Sequence, residues 1–157
     1  MPKLSAGLLL YRVTDGGVEV LIGHPGGPFW ARKDLGAWSI AKGEFQPGDD
    51  ALDAARREFA EETGCAPEGP FHPLGSVRQA GGKVVSAWAV ELEWDPSLLV
   101  SNTFSLEWPP GSGATRAFPE IDRAEWFALD EALRRILPGQ RALIESLAAG
   151  LTREPES

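Results

Sequence analysis

The run Arg57-Glu58-Phe59-Ala60-Glu61-Glu62-Thr63-Gly64 constrains this chain more than any other stretch. It closes a segment that starts at Asp50 and is rich in Ala, Leu, Arg and Glu, all good helix formers. Asp50 is a helix N-cap with Asp53 three residues on, and Gly64 is a C-terminal stop. Leu52, Ala55 and Phe59 recur at i, i+3 and i+7 as an apolar stripe. Around the helix axis, Glu58 and Glu62 fall beside that stripe and Glu61 a little further round. Carboxylates this close raise each other's pKa unless a positive charge sits among them, and a divalent cation is the obvious candidate. The acids alone leave a second reading equally open, an ordinary surface helix with an Arg57–Glu61 ion pair.

The preceding residues favour the first reading. Gly43-Glu44-Phe45-Gln46-Pro47-Gly48-Asp49 carries the glycines and proline of a tight loop. The span resembles the Nudix box, G-x5-E-x7-R-E-U-x-E-E-x-G-U with U apolar. Gly43, Arg57, Glu58, Phe59, Glu61, Glu62, Gly64 and Cys65 stand at the required spacing. Asp49 stands where the pattern has Glu, one methylene short. The lead-in Trp38-Ser39-Ile40-Ala41-Lys42-Gly43 is also similar to one common in that family, with Ala41 in place of a proline.

The resemblance implies a Nudix hydrolase, an α/β/α sandwich around a mixed sheet that cleaves a diphosphate bond in a nucleoside diphosphate derivative. Carried over by position, Glu58, Glu61 and Glu62 hold the metal, with the Gly43 carbonyl a possible further ligand, and Arg57 orients the catalytic glutamates. Hard oxygen donors suit Mg²⁺ or Mn²⁺. Asp49 is expected to support the site rather than ligate. The box does not settle the general base. Glu58 and Glu61 are candidates within it, and Glu120, in Phe118-Pro119-Glu120-Ile121-Asp122, is the best outside it, ahead of Asp122 and Glu107. Lys42, beside Gly43, and Lys83 are candidate phosphate contacts, ahead of Arg78. Trp108 and Trp30 are placed to stack on a base, with Trp108 the preferred substrate contact. His24, in a glycine-rich loop, is a weaker candidate.

The chain of 157 residues with a net charge of −8 is the size of one domain. We expect a single domain over 1–150 and a polar tail over 151–157. The acidic balance argues against nucleic-acid polymers and anionic membranes as partners, and leaves a small phosphorylated substrate, with metal supplying positive charge. One cysteine, Cys65, and no targeting segment point to the cytoplasm. Nothing in the sequence sets an oligomeric state.

Strands are expected at Ala6–Val13, Val18–Gly23, Ala37–Ile40, Gly75–Gln79, Lys83–Trp94 and Trp126-Phe127, and helices at Asp130–Ile136 and Gln140–Ala149. The stretch from Ser101 to Glu120, with Pro109-Pro110-Gly111-Ser112-Gly113 at its centre, reads as irregular. Two functions from different classes remain: a metal-dependent pyrophosphohydrolase acting on an NTP or dinucleoside polyphosphate, and a module of the same fold that binds a nucleotide without cleaving it. Isoprenoid diphosphate isomerisation is disfavoured, since Cys65 lies at the helix end.

Overall fold

A computed structural model describes residues 3–101 and 103–153. Its centre is β1 (Leu4–Thr14), whose side chains alternate between the two faces of a sheet. Leu9 and Tyr11 point into one core, while Ala6, Leu8 and Leu10 point into the other. A strand buried on both faces needs a layer on each side, which explains its nearly unbroken apolar sequence.

Those layers are α1 (Ala51–Thr63) on one face, and α2 (Leu129–Arg135) with α3 (Arg141–Arg153) on the other. Ala54, Ala55 and Phe59 of α1 pack on Leu8, Leu10 and Leu21. Leu143, Ile144 and Leu147 of α3 pack on Leu9, Ile22 and Trp38. Leu151, in the last turn of α3, rests against the same core. The fold is thus the α/β/α sandwich with a mixed sheet. Sheet order is β4 (His72–Arg78), β5 (Val84–Glu91), β1, β2 (Gly17–Pro25) and β8 (Ile121–Ala128). Only the β1–β5 pairing within it is parallel.

One irregularity positions the site. The β1 edge opposite β5 is shared by two strands. β3 (Ala41–Phe45) pairs with Leu4–Leu8, and β2 pairs with β1 only from Tyr11 to Thr14. Beyond Val20, β2 peels away to β8 and β3 wedges in. Mutual backbone hydrogen bonds between Gly23 and Ser39, 2.8 and 2.9 Å, join the diverging strands. A cleft opens at this fork.

Gln140 props the fork from behind. It is fully buried, and its Oε1 accepts from Ile40 N at 3.0 Å while its Nε2 donates to Ser39 Oγ and Gln79 Oε1. Gln140→Leu keeps the volume and orphans a buried amide, which should cost about 1–3 kcal/mol in a urea melt.

Several sequence-based expectations need correction. The strand expected at Ala37–Ile40 is only a pair of bridges at Trp38 and Ser39. The true strand is Ala41–Phe45, and it places Gly43 inside the sheet rather than in a loop. The stretch from Ser101 to Glu120 holds a hairpin, β6 (Thr103–Glu107) and β7 (Thr115–Pro119), which forms a separate two-stranded sheet. Pro109, Pro110, Gly111 and Gly113 lie in the connecting turn. The last strand runs eight residues, Ile121–Ala128, because its outward positions are charged and hide the alternation. Most of the tail read from residue 151 lies outside the described residues.

Candidate active site

The cleft at the fork has a volume of about 430 Å³ and is walled by β3, α1, the end of β2 and Glu120–Ile121. That is within the usual size of a small-ligand site.

One wall is acidic. The helix α1 is set by its ends: Asp50 accepts from Asp53 N at 2.9 Å, and Gly64, left-handed with φ 71°, donates to Ala60 O at 2.8 Å. With the ends set, Phe59 and Ala55 turn to the core and Glu58 and Glu62 fall at its rim. Glu62 is 2% exposed, and its Oε2 has no hydrogen-bond partner. Burial raises its pKa to about 8, helped by the hydrogen bond and charge of Glu58 and by the charges of Glu120 and Glu61. Burial also raises the pKa of Glu58, with Glu61 and Glu120 adding to the effect. At neutral pH Glu62 therefore keeps a proton and gives it to Glu58 as a hydrogen bond.

Gly43 makes this wall possible. A Cβ there would lie 2.6 Å from the Glu58 carboxyl carbon, so glycine is what leaves the Glu58 carboxylate room against β3.

The cleft also carries basic groups. Lys42 and Lys83 both line the cleft. Burial, together with the adjacent Lys83, lowers the pKa of Lys42 to about 8 against the charges of Glu44 and Glu120. Two amines held this close in a half-buried place favour an anion between them. Ser5 Oγ, buried and without a partner, lines the same cleft.

The structure thus brings Glu58, Glu62, Glu120, Gly43, Lys42 and Lys83 together. It keeps Arg57 and Glu61 on the exposed flank of α1, 3.9 Å apart as an i, i+4 pair. Asp49 closes the loop before α1, accepting from Gln46 N at 3.2 Å. Asp122 is bonded to His24, and Glu107 accepts from Gly111 N at 2.8 Å in the hairpin turn, so both alternatives to Glu120 are engaged elsewhere. Trp108 does not line the cleft. It packs edge-on against Phe29, ring centres 5.6 Å apart, and Trp30 reaches the cleft instead. Ser5 and Gln140 carry no motif, and only the three-dimensional packing reveals them.

The residues fit a divalent cation. Among the described residues, no three His, Cys, Asp or Glu side chains already converge on one point. The Glu58–Glu62 pair nevertheless has hard oxygens, an orphaned buried Oε2, and a proton that a cation would displace.

A NUDIX-domain family model matches residues 1–147. The chain belongs to the NUDIX family. The RNA pyrophosphohydrolase of Rhizobium meliloti (strain 1021) is 29% identical to it over 130 residues, 73% of this chain and 72% of that one. A Caenorhabditis elegans Ap4A hydrolase in a binary complex shares the NUDIX fold with a TM-score of 0.64 at 22% identity, over 94% of this chain and 98% of that one. The NUDIX domain of Shewanella oneidensis NrtR, complexed with ADP ribose, also gives 0.64, at 19% identity over 96% and 89%.

Proposed function

We propose that this NUDIX protein is a divalent-metal-dependent pyrophosphohydrolase that cleaves a phosphoanhydride bond in a nucleotide substrate, such as an NTP or a dinucleoside polyphosphate. The observation that carries this reading is the mixed lining of one cleft, where Glu58, Glu62 and Glu120 stand together with Lys42 and Lys83. An acidic wall alone would repel a phosphate chain, and a basic wall alone would bind it without chemistry. The names of the relatives, an RNA pyrophosphohydrolase and an Ap4A hydrolase, agree in reaction type.

Glu58, Glu61 and Glu62, with the Gly43 carbonyl, are the residues that would hold Mg²⁺ or Mn²⁺. When bound, the cation shields phosphate charge and lowers the pKa of a water. Lys42 and Lys83 orient the phosphates for in-line attack. Arg57 keeps Glu61 directed along α1. Glu120, which lines the same cleft as the acid pair, accepts the proton of the attacking water.

The test is a panel of nucleoside triphosphates, dinucleoside polyphosphates and nucleotide sugars, with and without Mg²⁺ or Mn²⁺, scored for phosphate, diphosphate and mononucleotide. Hydrolysis should require the metal. Full turnover in its absence would defeat the reading, and tight nucleotide binding without product would favour a binding module. Lys42→Met and Lys83→Met should each raise KM about 10- to 100-fold, the loss of one charge-assisted hydrogen bond, with a smaller change in kcat.

A further inference from the structure

His24 is buried near the end of β2 and does not line the cleft. Both of its ring nitrogens are engaged. Nδ1 lies 3.0 Å from Asp122 Oδ1, and Nε2 lies 2.6 Å from Lys33 O. A neutral imidazole offers one N–H and one bare nitrogen. Here both partners are oxygen acceptors, and Asp122 also accepts from Arg123 Nη1 at 3.4 Å. The partners therefore assign a proton to each ring nitrogen, and the buried imidazolium is offset by a full set of hydrogen bonds. The other charges near the ring gather about Trp38, which His24 meets edge-on. Arg123 of β8 lies 5.0 Å from the Trp38 ring centre, and Asp34, paired with Arg135 of α2, accepts from Trp38 Nε1.

What His24 holds is a fault in the sheet. Along the β2–β8 ladder His24 stands opposite Arg123 and Pro25 opposite Ile121, so Asp122 is the extra residue of a β-bulge. Proline suits the place, since it has no N–H to give to a ladder. Consecutive side chains of a regular strand point to opposite faces. At the bulge Asp122 and Arg123 both turn to the Trp38 side, while Ile121 and Ala124, three apart, line the same small cavity with Phe59 of α1. A shift of one residue reverses the face that each side chain meets. The bulge thus governs what the chain just before it presents to the cleft. Glu120 is seated there, its carbonyl accepting from Gly26 N at 3.0 Å.

We propose that His24 is a positioning residue for Glu120: by donating from both ring nitrogens it pins Asp122 in the bulge and the following loop at Lys33, and so fixes the register that delivers Glu120 to the cleft. The proposal rests on the reading of Glu120 as the base that takes the proton of the attacking water, and His24 acts on it only through Asp122.

Heteronuclear NMR of the imidazole nitrogens at neutral pH should show both His24 nitrogens protonated, and a neutral ring overturns the proposal. Asp122→Ala removes the acceptor from its part-exposed side and spares the core. It should lower kcat about 10²-fold, with KM changed less than about 3-fold. Asp122→Asn keeps an acceptor oxygen for Nδ1 and should restore most of the loss. In a Glu120→Gln background, Asp122→Ala should cost less than about 2-fold more, because both changes remove the same contribution. A folded Asp122→Ala with wild-type kcat, or losses that multiply in the double variant, overturns the proposal. If wild type hydrolyses nothing, or Glu120→Gln keeps full kcat, the reading of Glu120 as base falls, and the bulge is judged by hydrogen exchange of the Gly26 amide. That exchange should quicken about 10-fold in Asp122→Ala, and an unchanged rate overturns the positioning role.

Discussion

Glu62→Gln should cut turnover sharply and at the same time make the metal-free protein more stable at alkaline pH. The first effect follows from removing a buried carboxylate from the wall that faces the phosphates. Loss of one such electrostatic group lowers kcat by about 10²- to 10³-fold. The second follows from proton linkage. The folded-state pKa of Glu62 is raised to about 8, whereas the unfolded chain titrates in the ordinary carboxylate range. Between those values the folded protein holds a proton that the unfolded chain has released, so stability falls as pH climbs and levels off above about 8. Glutamine has no proton to lose and can still donate to Glu58. The gain should be near zero at pH 5 and about 1–3 kcal/mol at pH 8. In a chain of this size that corresponds to a Tm rise of about 3–10 °C in EDTA. Added Mg²⁺ should raise the Tm of wild type and leave the variant unmoved. Equal melting curves at pH 5 and pH 8 for both proteins would contradict the protonated pair.

Gly43→Ala should separate chemistry from stability in another way. The added Cβ would sit 2.6 Å from the Glu58 carboxyl carbon and Oε2. Those atoms belong to the free end of a flexible side chain, so the clash is relieved by swinging Glu58 aside and not by moving β3. The expected stability cost is under about 1 kcal/mol. The catalytic cost is larger, since a displacement of about 1 Å in a reacting constellation can cost about 10²-fold in rate. Normal melting with kcat reduced about 10²-fold is the expected pair of results. Wild-type kcat would show that turnover does not depend on the placement of the Glu58 carboxylate against Gly43.

How much of this was legible in the sequence depends on how local the signal is. Helix α1 was readable to within a residue because its cap, its stop and its stripe lie in one continuous segment. The difference in burial among the three acids followed from the same geometry: Glu62 turned inward, and Glu61 stayed outside with Arg57. Gly43 reads as a loop glycine because a glycine inside a strand looks like a turn until the helix it faces is known. Lys83 could be suspected but not placed, since its position beside Lys42 depends on how β5 and β3 flank the same half of β1. Trp108 was preferred to Trp30 although both looked alike as loop tryptophans. What distinguishes them is the hairpin that carries Trp108 away to Phe29, and its pairing joins its strands across a long proline- and glycine-rich turn. Gln140 was invisible for a similar reason, because its three partners lie 61 to 101 residues away.

The shared edge of β1 has an evolutionary consequence. The floor and acidic wall are framed by β3, α1 and the most buried strand of the molecule, so changes there disturb the sheet itself. The mouth is bordered by Trp30, from a loop after β2 that belongs to neither core and leans outward on a separate two-stranded sheet. Mutations can therefore accumulate at the mouth, altering which molecule is admitted, while the bond-breaking end stays the same. A chain built this way can change its diet without relearning its chemistry.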